Sequence, residues 1–176
     1  MNLYDAHNHL QDYRLRPHEA GIIVAAQQSG IVKMIVNGSC EADWPQVRDL
    51  AKRQPNLVIP SFGLHPWYVS ERTKEWKTAL ARFLDQTPSG VGEIGLDKWI
   101  LERPKARESP KSKMQSPKSE QRGIDRSIGE VSPAPMEEQE EVFAWQLRLA
   151  AERNLPASIH CLKAWGRLLE ILKHEA

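Results

Sequence analysis

Two histidines stand one residue apart, at positions 7 and 9, where the first apolar run of the chain ends. Side chains two residues apart in an extended strand project to the same side, so both imidazoles can reach one metal ion. Imidazole binds zinc, manganese, iron and nickel, and the pair alone does not select among them. The alternative is two surface histidines near a terminus. His7 and His9 are therefore candidate metal ligands whose assignment depends on partners elsewhere.

Three such partners stand at the ends of later β-like runs: His65, Glu93 and His160. Glu93 is the acid in a run otherwise built of Gly, Val, Ile and Leu. A buried acid is costly unless a cation neutralises it, and the two oxygens of a carboxylate can contact two cations. These properties favour a metal role for Glu93. His160 has the alternative of a hydrogen-bonded histidine in the core.

Strand and helix patterns alternate along the chain. The predicted strands are residues 3–9, 31–36, 57–64, 90–96 and 156–160, and the predicted helices are 18–29, 43–53, 74–84, 137–153 and a last one from Trp165 onward. Five successive β-α units indicate a parallel sheet covered by helices. The fold class is therefore α/β.

The positions of the candidate site residues favour a barrel of the TIM type. In such barrels the carboxyl ends of the strands converge on one mouth, whereas an open sheet spreads them along an edge. Without the insertion described next, about 140 residues remain, and complete barrels usually take about 250. We therefore expect a single partial barrel domain over residues 1–176, with about five of eight β-α units and the sixth to eighth strands missing.

One segment, residues 102–135, interrupts the pattern after the fourth strand. It is rich in Ser, Pro, Lys, Arg and Glu, and Ser-Pro-Lys-Ser occurs in it twice, at 109–112 and 116–119. Such a composition buries too little apolar surface to offset the entropy of ordering, which predicts a disordered, low-complexity insertion. A solvated linker is one interpretation. A phosphorylation-controlled interaction segment, or a loose phosphate-binding arm, is the other.

Composition excludes several classes of protein. The 176 residues are 40% hydrophobic and 27% charged, with a net charge of +1, so no overall field attracts nucleic acid or a membrane surface. The apolar stretches are shorter than the roughly 18 residues that span a bilayer, and the first residues lack the basic-then-apolar pattern expected of a signal peptide. Cys40 and Cys161 are too few for a disulfide framework, which predicts reduced thiols and a cytoplasmic protein.

When these residues are considered together, the chain resembles the TatD family of metal-dependent hydrolases. The matching segments are Asp5-Ala6-His7-Asn8-His9-Leu10, Gly63-Leu64-His65-Pro66, Gly92-Glu93-Ile94-Gly95-Leu96-Asp97, Gln146-Leu147-Arg148-Leu149-Ala150 and Ile159-His160-Cys161. The resemblance implies a barrel with one or two divalent ions (Mg, Mn or Zn). It also implies hydrolysis of phosphodiesters, with DNA as a candidate substrate, by a metal-activated water.

The same resemblance implies a role for each matching residue. His7 and His9 would bind the first ion, His160 the second, and Glu93 would bridge the two as the catalytic carboxylate. His65 would lie near the substrate phosphate or hold a turn. Asp97 matches a motif aspartate that fixes the loop after the fourth strand.

The chain also departs from the family pattern. A further histidine and a late aspartate, the base of the family reaction, have no counterpart, and Leu162 stands where the family commonly has a phosphate-binding arginine. These departures favour an alternative function, an inactive truncated remnant that binds only metal or a phosphorylated ligand. An oligomer or a complementing polypeptide that supplies the missing strands is a third expectation about partners.

Overall fold

The computed structural model describes residues 1–102 and 132–175. Within these ranges the chain forms one parallel sheet whose strands lie in sequence order. The strands are β1 (Leu3–Asn8), β2 (Ile31–Asn37), β3 (Val58–Phe62), β4 (Gly90–Asp97) and β5 (Ala157–Leu162). This sheet confirms the predicted α/β class and the TIM-barrel type, with five β-α units present.

The helices follow the strands and pack against the sheet. They are α1 (Glu19–Gln28), α2 (Trp44–Arg53), α3 (Trp76–Gln86), α4 (Trp99–Glu102), α5 (Met136–Glu152) and α6 (Trp165–Glu175). Two 3₁₀ helices, Arg16–His18 and Pro66–Glu71, and the single turn α4 were not predicted, because they are too short for a periodic pattern. No helix in the described ranges is long and apolar enough to cross a membrane.

The core lies between the central strands and the helices that cover them. Every residue of β4 is buried, as expected for a strand covered on both faces. Trp44 and Phe62 are fully buried. The Phe83 ring packs edge-to-face against Trp44, with ring centroids 5.7 Å apart, and in a tilted arrangement against Phe62, with centroids 5.1 Å apart. This aromatic cluster fixes α2 and α3 against β3.

The two outer strands differ from the central ones. In the described ranges β1 pairs only with β2, and β5 pairs only with β4. Large apolar side chains on and beside them are exposed, among them Tyr4 at 70% and Trp165 at 62%, with Leu3, Ile159, Leu162 and Leu169. The sheet nevertheless curls enough for the His7 ring on β1 to contact Ser158 on β5.

The described residues reach into both ends of the predicted insertion, 102–135. Glu102 belongs to α4 and accepts a hydrogen bond from Lys163 Nζ at 3.0 Å. Ala134 is buried, and its carbonyl accepts a hydrogen bond from Gln139 Nε2 at 2.9 Å. These contacts attach both ends to the body of the fold. The remainder of the predicted insertion, residues 103–131, and its two Ser-Pro-Lys-Ser repeats lie outside the described residues.

Candidate metal centre

Five predicted site residues line one cleft at the carboxyl ends of the strands: His7, His9, His65, Glu93 and His160. The cleft has a volume of about 490 Å³. His7 lies near the end of β1 and His9 just beyond it. His65 follows β3, Glu93 lies within β4, and His160 lies toward the end of β5. Parallel strands present their carboxyl ends at the same edge, so side chains far apart in sequence meet there.

Three ligand atoms converge on one point. His7 Nε2 lies 3.3 Å from His9 Nε2, and both nitrogens approach Glu93 Oε2, at 3.2 and 3.1 Å. Ligands held about 2.1 Å from one ion at tetrahedral or octahedral angles are themselves about 3.0–3.4 Å apart. Two imidazole nitrogens facing each other at this distance need a proton or another cation between them. The donor set and its spacing therefore fit a divalent metal ion.

Hydrogen bonds on the far side of each ring orient the two histidines. His9 Nδ1 donates to the Asn37 carbonyl at 2.8 Å, which directs Nε2 at the cluster. His7 Nδ1 lies 3.1 Å from Ser158 Oγ and 3.3 Å from the Asn37 side chain. Such outer hydrogen bonds fix the tautomer and the ring angle of metal-binding histidines. Neither Asn37 nor Ser158 was identified from the sequence.

The other oxygen of Glu93 faces a second group of residues. Glu93 Oε1 lies 3.1 Å from His160 Nδ1 and 3.7 Å from His65 Nε2. Burial alone would raise the pKa of Glu93, but hydrogen bonds from His160 and His9 hold that pKa below its ordinary value. Glu93 is therefore an anion whose two oxygens face different groups, the arrangement expected of a bridging carboxylate.

His160 is held by a buried acid. Its Nε2 donates to Asp97 Oδ2 at 3.0 Å, so Nδ1 is directed at Glu93. Burial would lower the pKa of His160, but its bonds to the two carboxylates raise it. Asp97 is completely buried and also accepts hydrogen bonds from Trp67 Nε1 at 2.6 Å and from the Ile100 backbone N–H at 2.9 Å. The loop role predicted for Asp97 therefore accompanies a direct contact with a candidate ligand.

His65 presents an N–H to the cleft. Its Nδ1 accepts a hydrogen bond from the Trp67 backbone N–H at 3.1 Å, and burial lowers the pKa of His65 to about 3. A neutral ring whose Nδ1 accepts must carry its proton on Nε2. His65, Glu93 and His160 lie close enough to hold an ion together, but this tautomer makes His65 a hydrogen-bond donor.

Two buried glutamines of α5 hold the loops that carry these residues. Gln146 Oε1 accepts from the Leu64 N–H at 2.7 Å, and Gln146 Nε2 donates to the Leu64 carbonyl at 3.1 Å. Gln139 does the same for Asp97, at 2.8 and 3.2 Å. Their signal in the sequence was two glutamines seven residues apart on the apolar face of a helix, which places them on one side.

Replacing Gln146 by methionine should destabilise the fold by about 2–4 kcal/mol, because both backbone groups of Leu64 would be left buried without a partner. Urea unfolding followed by circular dichroism would measure this change. Gln27→Met, at an exposed position of α1, is the matched control. A loss below about 1 kcal/mol would show that the Leu64 groups have found other partners.

Cys40 also lines the cleft, and it is a free thiol. Burial, with a smaller effect of the Asp43 charge, raises the pKa of Cys40 to about 12. At pH 8 its thiolate fraction should be roughly a thousandfold below that of an ordinary cysteine, and the rate of alkylation should rise about tenfold per pH unit. Iodoacetamide labelling of a Cys161→Ser variant between pH 7 and 10, read by mass spectrometry, tests this. Labelling at the rate of glutathione at pH 8 would contradict it.

A curled parallel sheet with a His/Glu cluster at its carboxyl ends is the architecture of metal-dependent hydrolases of the barrel type. The family model "TatD related DNase" matches residues 4–176. The chain therefore belongs to the TatD family.

Two relatives illustrate the extent of the match. The Schizosaccharomyces pombe "Cut9-interacting protein scn1" is 28% identical over 97% of this chain and 58% of its own length. The "3'-5' ssDNA/RNA exonuclease TatD" of Erwinia tasmaniensis is 28% identical over 86% of this chain and 47% of its own length. The chain thus spans about half the length of the curated relatives it matches.

Solved structures agree on the fold. The TatD homologue YJJV from Escherichia coli matches with a TM-score of 0.73 at 23% identity, over 98% of this chain and 56% of that one. A TatD-family hydrolase from Entamoeba histolytica matches with a TM-score of 0.71 at 19% identity, over 99% and 54%. These likenesses establish the barrel type of the sheet.

Proposed function

We propose that the chain is a metal-dependent phosphodiesterase that hydrolyses nucleic acid. The observation that carries this proposal is the double convergence on Glu93. One carboxylate oxygen meets His7 and His9 within 3.2 Å, and the other meets His160 at 3.1 Å. Two cations held by one carboxylate can stabilise both the attacking and the leaving oxygen when a phosphodiester is hydrolysed by in-line displacement.

The residues divide between the two positions. His7, His9 and Glu93 Oε2 would hold one divalent ion, and Glu93 Oε1 with His160 would hold a second. Magnesium, manganese and zinc are the candidates. A bound divalent ion lowers the pKa of water and neutralises charge on the phosphoryl group and the leaving oxygen.

The charge of the cleft supports this division. Asp12, Asp43 and Glu93 line it against two arginines, which gives a formal charge of −1 with the histidines neutral. A negative cleft repels a phosphodiester until cations bind. Bound divalent ions would reverse this charge and favour the entry of a phosphodiester.

His65 has a separate role in this proposal. Its Nε2–H faces the space beside Glu93 Oε1, where it can donate a hydrogen bond to a phosphoryl oxygen. Since His65 is neutral, the bond orients the substrate without changing the charge of the site. Asp97 holds His160, and Asn37 holds His9.

The relatives support the substrate class. The Erwinia tasmaniensis protein is described as a 3'-5' exonuclease of single-stranded DNA and RNA. We extend to this chain the hydrolysis of phosphodiester bonds in nucleic acid, with DNA as the first candidate. The two free cysteines accord with the cytoplasmic location that we propose.

A second candidate function is metal binding without turnover. The observation that favours it is that the two groups of convergent ligands in the described residues contain one carboxylate, Glu93. That carboxylate is occupied by cations in this proposal, so neither ligand group of the described residues holds a second carboxylate to act as base on the attacking water. An oligomer or a second polypeptide that supplies such a residue would restore activity.

The test is hydrolysis of an activated phosphodiester, bis(p-nitrophenyl) phosphate, by the purified chain with manganese or magnesium. Turnover that needs the metal and is lost on changing Glu93 supports the phosphodiesterase. A folded chain that binds manganese with His7, His9 and Glu93 but releases no nitrophenol supports the second candidate. A folded chain that binds no divalent metal contradicts both.

A further inference from the structure

The cleft extends beyond the metal-binding cluster to the loop that follows β1. The permanent cations among the described residues that line it are Arg14, on this loop, and Arg16, the first residue of the 3₁₀ helix that ends the loop. Arg14 is largely exposed, with 69% of its side chain accessible. Cationic side chains in a groove beside the reacting centre are the usual means of holding a nucleic-acid backbone.

The described lysines on the opposite side of the cluster do not line the cleft. Lys98 Nζ and Lys163 Nζ both contact Glu102, at 3.8 and 3.0 Å. Leu162, at the end of β5, offers no charge. The loop after β1 is therefore the side of the site with cations directed at the cleft.

This loop is tied to the metal-binding cluster. The Asp12 N–H donates to the His9 carbonyl at 3.0 Å. Gln11 Nε2 donates at 2.7 Å to the Asn37 carbonyl, the same oxygen that accepts from His9 Nδ1. A phosphate held by the loop thus has a fixed relation to an ion held by His9.

Arg14 is held in place before any ligand binds. Arg14 forms a two-point ion pair with Asp12: Nε donates to Oδ1 at 2.9 Å and Nη2 donates to Oδ2 at 2.5 Å, and the Arg14 backbone N–H donates to Oδ1 at 2.8 Å. The guanidinium carbon lies 6.0 Å from the centre of the Tyr13 ring, which is 42% exposed. A guanidinium beside an accessible aromatic ring offers a phosphate site next to a surface on which a base can stack.

We propose that this loop binds single-stranded nucleic acid, with backbone phosphates on Arg14 and Arg16 and a base on Tyr13. The inference rests on the proposed function and extends it, because it names the residues that select a strand with exposed bases. A duplex keeps its bases stacked and offers Tyr13 no face. The loop therefore favours single strands over duplexes.

The experiment measures binding separately from hydrolysis. Fluorescence anisotropy of a labelled phosphorothioate oligodeoxythymidine, which resists cleavage, is followed at increasing salt with manganese present. Arg14→Gln and Arg16→Gln should each weaken binding about tenfold at low salt and reduce the slope of log affinity against log salt by about 0.7. Arg82→Gln, at an exposed position on α3, is the matched control and should change neither.

The contact between Tyr13 and a base can be measured separately from the phosphate contacts. Tyr13→Leu should weaken binding of the thymidine strand about tenfold and leave binding of an abasic strand unchanged, because only the base contact is removed. The arginine variants should weaken both strands. Manganese affinity should be the same in every variant, which shows that the cluster is intact.

The outcomes separate this inference from the proposed function. Metal-dependent hydrolysis of the activated diester, with an unchanged salt slope in both arginine variants, would overturn the strand-binding role alone. Arginine-dependent binding by a chain that never hydrolyses would support the strand-binding role and contradict the phosphodiesterase. Neither binding nor hydrolysis by the folded, manganese-loaded chain would overturn both.

Discussion

Replacing Glu93 by glutamine should reduce metal-dependent hydrolysis and metal affinity by about a hundredfold to several thousandfold. The substitution keeps the size of the side chain and removes the charge that faces His9 at 3.1 Å on one side and His160 at 3.1 Å on the other. Losing one member of a buried charged pair costs on the order of 3–5 kcal/mol. Because both candidate ion positions share this carboxylate, both should weaken together.

Thermal unfolding provides a readout for Glu93→Gln that does not depend on activity. Manganese at about 100 times its dissociation constant should stabilise the unaltered chain by about 2.7 kcal/mol, which raises Tm by roughly 5–10 °C. The variant should show almost no rise at the same concentration. Glu152→Gln, at an exposed position of α5, is the matched control and should keep the full rise.

A manganese-induced rise in Tm that is equal in Glu93→Gln and the unaltered chain would refute the role of Glu93 in metal binding. A low Tm of the variant without metal would instead show that the substitution damages the fold. Without metal, the substitution also removes the charged partner of His9 and His160, so some fall in Tm is expected, and the metal effect is the rise measured from the variant's own metal-free Tm. The two effects are thus separable in one pair of unfolding curves.

Replacing Asp97 by asparagine should weaken the second of two metal-binding steps by about 10- to 100-fold and leave the first unchanged. Asp97 accepts from His160 Nε2 at 3.0 Å and has no contact with His7 or His9 among its hydrogen bonds in the described residues. Acids that orient a metal-binding histidine typically contribute this much to affinity. Calorimetric titration with manganese resolves the two steps.

Trp67→Phe tests the same position more mildly than Asp97→Asn, because it removes one hydrogen bond to Asp97 and keeps the carboxylate. It removes the indole N–H that donates to Asp97 Oδ2 at 2.6 Å and keeps an aromatic ring next to His65. Asp97 keeps its bonds to His160 and Ile100, so the second step should weaken only a few fold, in line with one lost hydrogen bond. An equal loss in both metal-binding steps for Asp97→Asn would show a general disturbance of the site instead of a positioning role.

Much of the fold could be predicted because its signals are local. Apolar β-branched runs such as 31–36 alternate with helical periods, and the structure places strands and helices there. The convergence of His7, Glu93 and His160 followed from one rule, that functional residues gather at the carboxyl ends of parallel strands. Gly95 marks the point where β4 and β5 approach each other closely. Its φ is 144°, and a side chain at this position would collide with the backbone of His160.

The remaining parts of the site depend on tertiary packing that no local pattern encodes. The tautomer of His65 follows from a backbone N–H two residues later, which faces its ring only because the chain turns into a 3₁₀ helix at Pro66. Asn37 meets the β1 histidines across a strand pair. The arginines after β1 line the cleft because the tight turns from His9 to Arg16 fold back toward it.

The two outer strands determine how the chain behaves in concentrated solution. β1 and β5 each present a row of backbone donors and acceptors on the side away from their neighbour in the described sheet. Beside these rows lie exposed apolar side chains, including Tyr4 on β1, Ile159 on β5 and Trp165 on α6. Such edges template the addition of further strands from any chain with matching apolar residues. Self-association should therefore rise steeply with concentration, and a polypeptide that covers both edges should suppress it.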